Sequence, residues 1–176
     1  MSRRAVVSVV AVVLVVGIGV GLALFQPWRL VTTRTTNESL LVPTSVSSSS
    51  AAPSSSSVAP PAGPVALASG PSRSLEHATT GSATLVQLPD GGHAVQFEAL
   101  DTSDGPDLYV YLSDKSSDSA EAAFGSGFTS LGKLKGNQGN QVYAIPAGAS
   151  LDTVRSVVIW CLRFSAGFAV APLERS

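Results

Sequence analysis

Ser156-Val157-Val158-Ile159-Trp160-Cys161-Leu162-Arg163-Phe164 is the stretch on which the fold turns, and it holds the only cysteine and one of the two tryptophans. A nine-residue run this rich in valine, isoleucine and aromatics predicts a strand covered on both faces, at the centre of a sheet. With a period of two, Val158, Trp160, Leu162 and Phe164 share one face, and Val157, Ile159, Cys161 and Arg163 share the other. That register sets a guanidinium two residues from the thiol on one side of the strand.

Outward from this strand the 176 residues divide into three compositions. Residues 5–25 carry one polar side chain, Ser8, enough apolar length to cross about 30 Å of hydrocarbon as a helix. Arg3 and Arg4 precede the run and Trp28 follows it, which predicts a cytoplasmic leader over 1–4, a single-pass transmembrane signal anchor over 5–28, and an extracytoplasmic remainder at the cell membrane. The rival is a cleaved signal with Gly21-Leu22-Ala23 as its small-x-small site; the apolar run exceeds the roughly 7–15 residues usual for such signals. Residues 29–72 read as a disordered linker: a Ser/Pro-rich segment without enough apolar surface to offset its ordering entropy.

Residues 73–176 have the composition of a small folded domain, with seven Lys/Arg against eleven Asp/Glu. An acidic domain has no basic stripe to neutralise phosphates, which excludes nucleic acid as a partner. Ala83–Leu88 and His93–Leu100 flank Pro89-Asp90-Gly91-Gly92 and predict a hairpin, with Val95 and Phe97 on one face and Gln96 and Glu98 on the other. Asp107–Ser113 alternates again, Leu108, Val110 and Leu112 against Tyr109 and Tyr111. Gln141–Ile145, Ser156–Phe164 and Phe168–Leu173 complete the strands, and Asp118–Phe124 has room for one helical turn. Short strands punctuated by Gly and Pro predict an all-β fold, a small antiparallel sandwich or barrel.

Five ordered motifs carry a resemblance. His77-Ala-Thr-Thr-Gly81, Gly105-Pro-Asp-Leu-Tyr-Val-Tyr-Leu-Ser113, Leu131-Gly-Lys-Leu-Lys-Gly136, Gly139-Asn-Gln-Val-Tyr-Ala-Ile-Pro146 and Ser156–Phe164 together resemble the DM13 domain over about Ser74 to Leu173. The resemblance implies a β-rich extracytoplasmic domain with a characteristic cysteine and a redox or electron-transfer role. It places that cysteine on Cys161, with Trp160 before it, and the early histidine on His77. Gly105, Pro106, Asp107 and Tyr143 fall in its structural motifs. A redox partner protein is implied, although no haem-binding module accompanies the domain in these residues.

The residues themselves leave Cys161 open. A lone cysteine in an exported domain is an inert core residue, a partner for another chain, a working thiol or a metal ligand. Arg163 would favour the thiolate if both side chains reached one wet pocket. Copper would need both histidines, His77 and His93, together with Cys161, while Met1 lies beyond the apolar segment. The cofactor thus stays unassigned, with copper or haem as the options. There is no C-x-x-C-H, no C-x-x-C and no Ser/His/Asp elbow, phosphate loop or zinc signature, which disfavours a hydrolase or transferase. Asp101, Asp104 and Asp107 lack calcium-loop spacing and fit turn geometry better. Two functions remain: a membrane-tethered redox module centred on Cys161, supported by Trp160, Arg163 and His77, or a non-catalytic binding or structural sandwich in which Cys161 is inert core.

Overall fold

The computed structural model describes residues 3–25, 28, 32–42 and 63–175; the Ser/Pro-rich 43–62 lies outside the described residues. Helix α1 (Arg3–Phe25) is apolar on every side, and its Val6–Leu24 portion is long and apolar enough to cross a membrane. A signal sequence near an N-terminus has the same character.

Ten strands follow: β1 (Val65–Pro71), β2 (Arg73–Ser74), β3 (Thr80–Gln87), β4 (His93–Asp101), β5 (Leu108–Ser113), β6 (Phe128–Lys133), β7 (Gln138–Ala144), β8 (Ser156–Cys161), β9 (Ala166–Pro172) and β10 (Glu174–Arg175). They form two five-stranded antiparallel sheets, β10-β1-β3-β4-β7 and β2-β9-β8-β5-β6, packed as a sandwich. The all-β expectation holds, and β8 occupies the centre of its sheet. Turn chemistry closes the β3–β4 hairpin as expected: Asp90 Oδ1 accepts from Gly92 N at 2.9 Å, and Gly91 supplies a φ of 83° that a side chain would strain.

Alternation sets the core. Val95 and Phe97 from β4, Leu108, Val110 and Leu112 from β5, and Val157, Ile159 and Cys161 from β8 fill the space between the sheets. Burying each large apolar side chain there contributes roughly 1.5–3 kcal/mol before its ordering entropy is counted. Val158 and Trp160 point to the opposite side of β8 and pack with Tyr111, Val170 and Phe124. Phe124 comes from a short 3-10 helix, Glu121–Gly125, which lies over that face near the expected helical turn.

Three boundaries differ from the sequence reading. The β8 strand ends at Cys161, and Leu162–Ser165 forms the turn into β9 with Ser165 at φ 52°. Arg163 therefore leaves the cysteine face, because the chain reverses before the alternation reaches it. The sandwich begins at Val65 rather than Arg73, since β1 pairs with β3 along six registered positions despite its Gly and Pro. Apart from these boundaries, strand β6, in a stretch with few apolar residues and not among the expected strands, pairs along β5.

The third boundary concerns the linker. Residues 32–42 lie against the sandwich: Thr36 N donates to Gln138 O at 2.8 Å, Glu38 N to Asn140 O at 2.9 Å, and Thr35 bridges Gln138 in parallel. Gln96 Oε1 accepts from Leu41 N at 2.9 Å and Val42 N at 3.2 Å, while its Nε2 donates to Val42 O at 2.6 Å. Gln96, on the outward face of β4, is consequently fully buried. Low apolar content does not prevent docking here because the sandwich offers the edge of β7 and a side-chain amide as hydrogen-bond partners.

Candidate functional site: the Cys161 end of the sandwich

Antiparallel register gathers the chemistry at one end. Cys161 closes β8 opposite Leu108, the first residue of β5, and Ala166, the first of β9. The same end receives the β2–β3 loop with His77, the β4–β5 loop with Gly105-Pro106-Asp107, and the β6–β7 crossover. Tertiary register alone could bring these segments together, since they are far apart in the chain.

Cys161 is 0% exposed and belongs to the inter-sheet core with Leu108 and Phe168. His77 reaches this core indirectly: its ring stacks on Phe168 at 3.9 Å between centroids, with 26° between planes. Gly105 is the backbone neighbour, and a Cβ there would come within 3.0 Å of both Leu108 and Phe168, so the Gly-Pro turn can seal the core only without a side chain. Asp107 holds the turn from outside, pairing with Lys133 Nζ at 3.1 Å while its carbonyl accepts from Leu162 N at 3.0 Å.

Trp160, adjacent to Cys161 in sequence, lies on the opposite side of the sheet. It lines a surface groove of ≈ 340 Å³ with Tyr111, Phe128 and Leu162. Tyr111 and Phe128 stack there at 3.8 Å with 6° between planes, and Tyr109 stands 6.2 Å from Tyr111. Burial, followed by the negative neighbours Tyr109 and Asp107 in their ionised forms, raises the Tyr111 hydroxyl above the usual phenol range. Arg163 is exposed in the β8–β9 turn, where its guanidinium donates to the Leu24 carbonyl of α1.

Tyr143 fixes the crossover between the sheets. Its hydroxyl accepts from Lys135 N at 2.9 Å and donates to Gln141 Oε1 at 2.7 Å, and its ring meets Phe97 edge-on at 6.0 Å. Burial pushes its ionisation up to about 12 against the lowering effect of the Lys135 amide.

Asp104 emerges as the electrostatic centre of this end, a role the turn reading of the aspartates did not reveal. Its side chain is 1% exposed, and Oδ1 accepts from Arg34 at 2.8 Å and from Gly105 N at 2.9 Å, while Oδ2 accepts from Thr32 at 2.9 Å. Burial raises the carboxyl, but Arg34, Gly105 N–H and the Thr32 hydroxyl outweigh it and hold it below the ordinary carboxylate range. Beside it, Thr79 and Thr102 hydroxyls meet at 2.7 Å, and Asn137 links Thr102 to Arg34 through its amide. The sequence signal was the Asp-Gly-Pro turn; the partners came from residues assigned to the linker.

Among the described residues, no three His, Cys, Asp or Glu side chains approach closely enough to hold a metal ion. His93 begins β4 at the opposite end of the sandwich, lining a ≈ 870 Å³ cavity with Ile145 and Leu151. His77 stacks on a phenyl ring, and Cys161 is sealed in apolar surroundings. Described donors so dispersed do not fit the His, His, Cys set that the copper option needs.

No curated protein and no solved structure matches the chain. The sequence model of the family described as "Electron transfer DM13" matches residues 73–173, a span running from β2 through β9 and containing all five motifs, the Gly105-Pro106 turn and the central Cys161 strand. By that match, which covers more than half its length, the chain belongs to the DM13 family.

Proposed function

We propose that this chain is a membrane-tethered, extracytoplasmic electron-transfer module, held by α1 as a single-pass anchor with its N-terminus cytoplasmic, and that Cys161 is its redox centre. The observation that carries the reading is the position of Cys161: the central strand of a sandwich in the electron-transfer family, back to back with Trp160 and the Tyr111–Phe128 stack that reaches the surface. Thiol–disulfide exchange requires direct attack on sulfur, and a fully buried thiol offers no such access in the folded domain. Electron exchange with a partner protein through the packed interior needs no contact with sulfur. The partners are one-electron carriers: Cys161 gives one electron to an acceptor and its thiol proton to solvent, leaving a thiyl radical, and one electron from a donor with a proton from solvent restores the thiol, so the domain ends as it began.

The same burial favours a second reading, a non-catalytic sandwich that binds or supports something at the cell surface, with Cys161 as a small apolar side chain. Voltammetry of the full chain in detergent films separates the two. A reversible one-electron wave that disappears in Cys161→Ala, while the variant keeps its β-sheet circular dichroism, supports the redox module. A colourless, metal-free chain without a wave, whose thiol reacts only after denaturation, establishes the structural reading.

A further inference from the structure

The sandwich is acidic and mostly polar outside, yet the turn at its Cys161 end is not. Leu162 is 50% exposed and Phe164 49% exposed, and together they bracket the exposed Arg163. Of the other large apolar side chains exposed on the described sandwich, Val65 begins an edge-side strand and Phe128 is stacked on Tyr111. Leu162 and Phe164 crown a tight turn, each half-exposed, in an apolar–cation–apolar sequence.

Two observations place this turn beside the end of α1. The Arg163 guanidinium donates to the Leu24 carbonyl in the last turn of the helix. Independently, Thr32 and Arg34 are fastened to Asp104 at the same end of the sandwich. Only six residues separate Phe25 from Thr32, and even fully extended they reach no more than about 25 Å. A domain tethered that closely presents its Cys161 end to the membrane surface.

We infer that the Leu162–Ser165 turn docks onto the bilayer that holds α1, with Leu162 and Phe164 entering the boundary between headgroups and acyl chains and Arg163 pairing with a lipid phosphate. Apolar side chains gain by leaving water at that boundary, and a guanidinium matches phosphate geometry with two parallel donors. The rest of the domain carries more acidic than basic residues, so apolar insertion is the main attraction and anionic lipid adds a few-fold at most through the single arginine. This inference rests on the membrane tether proposed above.

The test uses the full chain in phosphatidylcholine vesicles containing phosphatidylglycerol, with the polarity-sensitive fluorophore NBD attached at Ser165→Cys or, at the opposite end of the sandwich, at Ser150→Cys. The unsubstituted chain, with its buried Cys161, controls for stray labelling. Retention through an alkaline carbonate wash establishes the anchor; loss of the chain in that wash defeats the tether and this inference with it. In retained chains, the expected result is blue-shifted emission at position 165, quenched by shallow doxyl-labelled lipid at least threefold more than at position 150, with the difference removed by joint Leu162→Ser and Phe164→Ser substitution. Equal, water-like emission at both positions in an anchored chain would overturn the docking while leaving the tether standing. A difference that survives the double substitution would overturn the role given to these two side chains.

Discussion

Arg34 and Asp104 stand seventy residues apart in the chain and join at 2.8 Å, the carboxylate almost wholly buried and the guanidinium half-exposed. The pair fastens the segment that follows α1 to the turn that seals the Cys161 core. Arg34→Ala leaves a buried carboxylate with only Gly105 N–H and the Thr32 hydroxyl. Removing one partner of a fully buried pair costs about 3–5 kcal/mol, and the exposed guanidinium lowers the expected loss to about 1–3 kcal/mol, read from urea unfolding in detergent micelles. Because the folded carboxyl ionises below its unfolded value, its contribution is present above about pH 4 and is lost as the pH falls through the folded value. Arg34→Ala flattens that acid limb.

Tyr143 gives the opposite dependence. Its folded ionisation lies at about 12, above the unfolded value of about 10, so the folded state holds a proton that the unfolded state has released between those limits. Stability is full below pH 10 and declines as the pH rises towards 12; in Tyr143→Phe this alkaline decline is reduced. The variant also loses about 1–2 kcal/mol at neutral pH, because the Lys135 amide and Gln141 Oε1 each lose a partner. Tyrosinate absorbance against pH, together with unfolding at pH 7 and 11, checks both statements.

A methyl group at Gly136 would collide with the Arg34 carbonyl oxygen and the Thr36 hydroxyl. Gly136→Ala is therefore expected to loosen residues 32–42 while the sheets remain paired. Hydrogen exchange at Thr36 and Glu38 amides should accelerate at least tenfold, with amides of β8 unchanged. Glu38→Gln should act in the same direction more weakly, since the Glu38 carboxylate binds Lys135 Nζ at 2.8 Å and Val142 N at 2.7 Å. Accelerated exchange throughout β8 would count against this division.

Cys161→Ser introduces a hydroxyl into the apolar space between the sheets and should cost about 1–3 kcal/mol. Cys161→Ala leaves a small void and should cost less than Leu→Ala at a comparable site, at about 1–2 kcal/mol. Thermal unfolding of the two variants fixes the order, and a Cys161→Ser chain as stable as the wild type would show that the thiol site admits a hydroxyl partner.

Residues with strong periodicity were legible: Val157, Ile159 and Cys161 face the core, Val158 and Trp160 face the other way, and Val95 and Phe97 point inward as their alternation requires. Arg163 was misplaced because alternation carries no information about where a strand turns back. Gln96 was on the correct face but not exposed, since its cover comes from residues 41 and 42, which have no apolar periodicity of their own. Of the candidate site residues, the register brings the segments of Cys161, His77, Gly105 and Pro106 to one end of the sandwich, as their motifs lie at strand ends, while Trp160 faces the other side of its sheet. The Arg34–Asp104–Thr32 network was not legible, because it joins a segment with the composition of a linker to a turn that only the folded register brings within reach.

The docked 32–42 segment also changes what cleavage would do. The Ser/Pro-rich residues 43–62 connect two places on the same folded body, Val42 beneath Gln96 and Val65 beside Gln87. A protease cutting between them would sever the covalent link without separating the two parts, since the fragment carrying α1 would remain seated as a complementing peptide along β7. On the tether proposed above, shedding from the membrane would then require a second cut before Thr32, or conditions acidic enough to protonate Asp104 and unseat the strap. On that tether, cleavage before Thr32 thus decides release, and cleavage in the long serine stretch does not.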